Sequence, residues 1–350
     1  MPSATRARSS GAPLALLALV AIGCATTPGA TPRASDTTTA AGRADSAGRA
    51  PDPAAAARPA DGVRFEPLPV IGPSAGGRLF FREPLGLSLD HLQRLFVADS
   101  GNNRVVVLAP GGSYEAEFGR FGDGDGQFLT PTDVAAREGF FFYVADSENE
   151  RVQKFDRFRS FVEVVATRGG LGGGFGGPRG IEVDDEGRLY ITDTEEDKVW
   201  ILDAFSGSLD EEIGGFGSAE ARFIDPADVA IDSDRRILVA DAGNGRIQVF
   251  DRLGNFLFAS DGSGRGSRPL RRPSGIACDP RGFLFVTDPA EHRVVVLDAA
   301  GAYVGELPRE GMRAPTGIVY DGEGTLYVSD ADANAIFPFR VVHTDAARGE

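Results

Sequence analysis

Histidine is scarce in this chain. His91, His292 and His343 are its three copies in 350 residues, and they are widely scattered. A three-histidine metal centre would consume all of them, so the sequence argues against one. Cysteine is rarer still, with Cys24 and Cys278 lying far apart. Positive charge is also short: 36 Lys and Arg stand against 51 Asp and Glu, for a formal net charge of −15. That disfavours nucleic acid, whose phosphates need a basic surface. The apolar run from Pro13 to Cys24 is too short to span a membrane as a helix, which takes about 20 residues. Glycine (46) and proline (22) are plentiful, and 42% of the residues are hydrophobic. The chain is therefore turn-rich, with enough apolar material for one large domain or two small ones.

Arg6 and Arg8 precede the apolar run, which has the size of a signal-peptide core. Its end, Ala21-Ile22-Gly23-Cys24, resembles the lipobox of bacterial lipoproteins. The resemblance implies cleavage before Cys24 and acylation of that cysteine. Ala25 stands where inner-membrane retention would have Asp, which implies the outer membrane. Three acyl chains, at about 0.8 kcal/mol per buried CH₂, would hold the chain firmly. A plain secretory signal with a chance cysteine is the alternative. Residues 1–23 are thus expected to be a signal peptide and residues 24–61 a tether. The stretch after Cys24 holds no aromatic and no apolar side chain larger than Thr. It cannot bury enough surface to offset its ordering entropy.

From residue 62 to 343 one pattern recurs. Six short apolar runs end in Asp99, Asp146, Asp193, Asp241, Asp288 and Asp330. Fifteen residues before each lies a proline: Pro84, Pro131, Pro178, Pro226, Pro273 and Pro315. Three residues before each proline is a large apolar side chain: Phe81, Phe128, Phe175, Phe223, Leu270 or Met312. Five residues after each aspartate stands a base, except in the sixth copy, which has Ala335. A fixed period of about 47 residues filled with short strands predicts a β-propeller. Each repeat reads as four strands, A to D, separated by turns such as Asp184–Gly187. The last repeat lacks a strand D, and the segment from Val63 to Gly72 lies in the register to supply it. The fold expected is all-β: six four-stranded blades closed by an N-terminal strand, with residues 344–350 as a tail.

The repeat resembles the NHL family of six-bladed propellers. "VADSGNNRVVVL" (Val97–Leu108) and "GRFGDGDGQFLTPTDVA" (Gly119–Ala135) carry the resemblance most strongly. It specifies a fold and leaves function open, since the family includes lyases, sensors, scaffolds and RNA binders. Its amidating lyases use metal-ligating histidines at the channel, and the three histidines here do not form such a set.

A residue repeated in every blade reads as structural. The six aspartates are expected to accept backbone N–H groups from the loop that follows, and to pair with the base across the hairpin. Such a pair, if exposed, adds about 0–1 kcal/mol. Candidate chemistry lies where the repeat is broken. Two residues after proline the copies read Gly86, Asp133, Gly180, Asp228, Gly275 and Gly317, and blade 3 carries Glu182 two positions further on. Asp133, Glu182 and Asp228 would suit calcium at a channel mouth. Alternatively the aspartates cap local loops and Glu182 pairs with an arginine such as Arg179. Cys278 reads as a buried, inert thiol, and Trp200 as blade packing.

The D–A and B–C loops share one face, here called the top. Around blades 2 and 3 its loops are acidic, from Asp123 and Asp125 to Glu195 and Glu196. Before blade 5 they carry Arg265, Arg268, Arg271 and Arg272, a candidate surface for an acidic protein or an anionic envelope polymer. Two functions follow. One is a monomeric, non-catalytic binding or scaffolding module on a lipid anchor in the cell envelope. The other is a calcium-dependent lyase or hydrolase with its site at the channel mouth.

Overall fold

The computed structural model describes residues 62–72, 79–136, 140–264 and 266–344. The expected signal peptide, Cys24, the tether and Arg265 lie outside the described residues. β1 (Val63–Pro67) comes first. β2 (Pro84–Leu89), β3 (Leu95–Asp99), β4 (Arg104–Leu108) and β5 (Tyr114–Phe118) form blade 1. β6 (Pro131–Ala135), β7 (Phe141–Asp146), β8 (Arg151–Asp156) and β9 (Phe161–Thr167) form blade 2. Blade 3 is β10 (Pro178–Val183), β11 (Arg188–Asp193), β12 (Lys198–Asp203) and β13 (Leu209–Gly214). Blade 4 is β14 (Pro226–Ile231), β15 (Ile237–Asp241), β16 (Arg246–Phe250) and β17 (Phe256–Ser260). Blade 5 is β18 (Ile276–Cys278), β19 (Leu284–Asp288), β20 (Arg293–Leu297) and β21 (Tyr303–Glu306). β22 (Pro315–Tyr320), β23 (Thr325–Asp330) and β24 (Ala335–His343) make three strands of blade 6, and β1 makes the fourth. It pairs antiparallel with β24, from Val63↔His343 to Pro67↔Phe339. The ring thus closes as the register of Val63–Gly72 predicts. No described helix is long and apolar enough to cross a membrane.

Inner strands are packed on both faces, so they read as unbroken apolar runs. Every residue of β3, "LFVAD", is buried. The outermost strand has one wet face, and β5, "YEAEF", alternates accordingly. The core divides into six clusters, one in each seam between neighbouring blades. The apolar residue three before each proline is buried in one of these seams: Phe81, Phe128, Phe175, Phe223, Leu270 and Met312 are each part of a different cluster. Gly119 shows why glycine precedes this anchor. Its φ is +88°, and a Cβ there would fall 2.2 Å from the Phe128 ring.

The six repeated aspartates are fully buried. They are structural, and their bonds reach further than the sequence expectation. Each takes a backbone donor 16 or 17 residues earlier, in the loop leading into the blade, and Asp193 and Asp330 also take donors of the loop that follows, Glu195 N, Glu196 N and Ala333 N. Asp146 Oδ1 accepts Leu129 N at 2.7 Å, and Asp99 Oδ1 accepts Arg82 N at 2.7 Å. Asp241, Asp288 and Asp330 take Ile224 N, Arg272 N and Ala314 N in the same way. The ion pair is also buried rather than exposed. Arg151 Nε meets Asp146 Oδ2 at 2.8 Å, and its Nη atoms reach the carbonyls of Asp123, Gly124 and Gln127. Each arginine therefore staples the same loop that its aspartate caps. Blade 3 departs again: Lys198 turns outward to Glu212 at 3.1 Å, and the Trp200 indole N–H takes its place on Asp193 at 3.0 Å.

The A–B turns have their own staple. Asp90, Asp184 and Asp232 bind Arg94, Arg188 and Arg236, four residues on. In blade 5 that position is Phe283. His343, at the end of β24, stacks on the Phe283 ring and brings Nε2 to 3.2 Å from Asp279 Oδ2.

Candidate functional site

The six A strands enclose a central cavity of about 590 Å³. It runs from Thr132, Arg179 and Thr316 near the top to His91, Asp185 and Pro280 at the A–B turns. Asp133, Glu182 and Asp228 all line it.

An A strand has one edge paired in its blade and one edge turned to the channel, where amides lack a sheet partner. Asp133 and Asp228 supply the missing acceptors. Asp133 Oδ1 takes the N–H of Val134, and Oδ2 reaches the next blade to take Ile181 N, both at 2.8 Å. Asp228 repeats this two blades on, with Val229 N at 2.8 Å and Ile276 N at 2.9 Å. Each packs against a glycine of the blade before it. A Cβ on Gly86 would lie 1.9 Å from Asp133 Oδ1, and one on Gly180 would lie 2.6 Å from Asp228 Oδ1. The two acids that interrupt the glycine ring are therefore clamps between blades as well as caps of their own strand.

This placement sets their protonation. Burial is the main force raising the Asp133 carboxyl well above its ordinary value, and the charge of Asp228 adds to it. Burial likewise pushes Asp228 up to about 7, against the pull of its two backbone donors. A carboxyl whose folded pKa is raised binds more protons folded than unfolded between the two values. Stability should then fall as pH rises from about 4 to about 7 on account of Asp228. Urea melts at pH 5.5 and 8 should show the lower stability at pH 8. Equal midpoints would mean that these carboxyls are not held protonated by the fold.

The acids do not fit a calcium ion. Among the described residues no three His, Cys, Asp or Glu side chains are grouped to share a metal, and both oxygens of Asp133 and of Asp228 are already committed to amides. The "DGDG" turn is the loop whose carbonyls at Asp123 and Gly124 hold Arg151.

Two features of the cavity were misplaced or missed in the sequence. Cys278 is half-buried rather than buried, and it lines the cavity with its Sγ 3.7 Å from Ile231 O. Arg179 occupies the position after proline, where the other copies have Leu85, Thr132, Ala227, Ser274 and Thr316. Its charge in that series was the available signal. Burial is the largest influence on its guanidinium and lowers its pKa, Arg272 adds to the lowering, and Asp225 and Asp228 oppose it.

On the top face, Arg268 and Arg271 are about seven-tenths exposed and share Glu291, while Arg272 meets Asp225 at 3.1 Å. On the acidic side, Arg168 binds Glu150 and Glu195. Both sides are thus partly neutralised, and the face is less polarised than the sequence alone implies. Phe121 and Phe216 stand exposed in the D–A loops of the same face.

Comparison with known proteins agrees with this architecture. The family profile for the NHL repeat matches residues 81–108 and 223–250. NHL-repeat-containing protein 4 of Mus musculus is 30% identical over 102 residues, which are 29% of this chain and 68% of that protein. Protein brain tumor of Drosophila melanogaster is 33% identical over 95 residues, 27% of this chain but 9% of that much longer protein. Among solved structures, a gluconolactonase from Xanthomonas campestris superposes with a TM-score of 0.60 at 16% identity, covering 83% of this chain and 99% of that one. At that identity the likeness is one of fold.

Proposed function

The chain belongs to the NHL-repeat proteins, and from that premise we propose that its six-bladed ring is a non-catalytic binding module, held at the cell envelope by a lipid on Cys24. One observation carries this reading: two of the three candidate acids of the channel are spent on the fold. Asp133 and Asp228 each hold two backbone amides. An enzymatic use of the cavity would need such groups free to move protons or hold a metal. The top face of the ring is available for binding. There Arg268, Arg271 and Arg272 project beside shallow loops. Arginines at such a site suit an acidic protein edge or an anionic envelope polymer, because charge complementarity steers encounter and fixes register. Pull-down from envelope extract is expected to lose partners when Arg268, Arg271 and Arg272 are changed to Glu, while the melting temperature stays unchanged. An identical set of partners would overturn this surface. The anchor is tested separately. A fatty-acid analogue should label the wild type and leave Cys24→Ala unlabelled, and equal labelling of both would remove the lipid from the reading.

A further inference from the structure

The bottom face, made by the A–B and C–D turns, exposes apolar side chains in register. The third residue of the C–D turn is Phe158 in blade 2, Phe205 in blade 3 and Leu253 in blade 4, each more than half exposed. Blades 5 and 1 have Ala300 and Gly111 at that place. Leu92 and Phe140, also more than half exposed, share a shallow groove with Phe158. The result is a one-sided crescent over blades 1 to 4. Exposed apolar side chains that recur at one turn position, with three such side chains around one groove, mark a surface for interaction rather than scattered surface apolarity.

Charge and chain path point to what covers it. Arg157 and Arg159 flank Phe158, with the Arg157 guanidinium 4.7 Å from the ring centre, and Arg252 precedes Leu253. The turn aspartates among them are surface groups occupied by their own turns: Asp156, Asp203 and Asp251 accept N–H groups there. Glu115, which also lines the groove, is met by Arg94 at 3.1 Å and Arg159 at 4.0 Å, and the crescent therefore sets Arg157, Arg159 and Arg252 beside the apolar tips of Phe158 and Leu253. The exposed Phe121 of the top face instead neighbours Asp123 and Asp125. The start of β1 is also at the bottom, because Val63 pairs with His343 and Thr344 N bonds to Gly62 O. Whatever precedes Gly62 joins the ring on this face.

We propose that the bottom crescent of blades 1 to 4 docks on an anionic lipid surface, with Phe158, Phe205 and Leu253 entering the interface and the arginines meeting headgroup phosphates. The proposal rests on the reading that Cys24 is lipidated. It turns the top face, with its arginines, away from the membrane.

The test uses the full lipidated chain reconstituted on vesicles of phosphatidylcholine with about 30% phosphatidylglycerol, a composition that supplies the negative surface. The acyl chains carry bromine, which quenches tryptophan that enters them. Phe158→Trp places an indole on the bottom face and Phe216→Trp places one on the top. The wild type, whose Trp200 is buried, gives the baseline. Emission added by Phe158→Trp should fall about twofold, and that added by Phe216→Trp should not change. Co-sedimentation without quenching at position 158 would overturn the docking face and leave the anchor standing. Equal quenching at both positions would also overturn it, since no face is then preferred. Failure to co-sediment would end the anchor reading and the docking with it. A dimer in detergent that Phe158→Asp with Phe205→Asp dissociates would assign the crescent to a second copy of the chain and overturn the lipid assignment.

Discussion

Deleting residues 63–72 from the full chain should open the ring, with a fall in melting temperature of about 10 °C or more, or aggregation. The segment supplies the outermost strand of blade 6. It pairs residue for residue with β24 over Val63–Pro67, and Ile71 exchanges two hydrogen bonds with Ile336 at 2.9 and 2.8 Å. Val63 is buried in the seam between blades 5 and 6, and Phe65 packs its ring edge-on to Phe285 at 6.0 Å. Three apolar side chains at about 1.5–3 kcal/mol each give roughly 5 kcal/mol of lost burial. For a domain of this size each kcal/mol moves the midpoint by about 2–4 °C. The deletion also bares the edge of the nine-residue β24, and a long unpaired edge is a template for aggregation. Calorimetry and light scattering read both effects. Deleting residues 25–60 is the control, because that stretch has no aromatic and no apolar side chain larger than Thr to contribute to a core. If both deletions melt like the wild type, the N-terminal strand does not hold the ring.

Asp146→Ala is expected to cost about 3–5 kcal/mol, the range for leaving one partner of a buried ion pair without the other. The carboxylate accepts Leu129 N, the Asn149 amide and Arg151 Nε, and Gln153 adds a longer contact at 3.2 Å. Its removal strands the Arg151 charge under the Asp123–Gln127 loop. Asp330→Ala provides the comparison. Asp330 caps Arg313 N, Ala314 N and Ala333 N but faces Ala335 where the base would be. Leaving backbone N–H donors without their acceptor should by itself cost about 1–3 kcal/mol. Urea unfolding of the two variants separates the contributions. A cost for Asp146→Ala no greater than that for Asp330→Ala would mean that the arginine adds nothing beyond the cap. Arg151→Met in the Asp146→Ala background should recover part of the loss, because it removes the stranded charge.

The fold was legible because each part of a propeller touches only its neighbours. The spacing of Phe128, Pro131, Asp146 and Arg151 recurs, and recurrence identifies both the blade and the structural role of the aspartate. Closure was legible for the same reason, since Gly72 and Gly119 keep one distance from the prolines that follow. The candidate site was legible only in outline. The sequence marked Asp133, Asp228 and Glu182 as breaks in the pattern, and the structure does bring them to one cavity. It could not show that Asp133 and Asp228 are committed to amides of Ile181 and Ile276, 48 residues further along the chain.

By itself, then, the sequence determined the number of blades, their four-stranded make-up, the strand that closes them and the buried anchor of every seam. These follow from local spacing, which strand pairing and turn chemistry fix within one repeat. Only the tertiary structure decided which loop each aspartate caps, that Lys198 turns to Glu212, that His343 faces Asp279 where Phe283 has replaced an arginine, and that Phe158, Phe205 and Leu253 share one exposed face. Those outcomes depend on which groups the closed ring sets side by side. A buried carboxylate takes whatever donors lie within reach, and an apolar turn residue stays exposed when no neighbouring blade covers it.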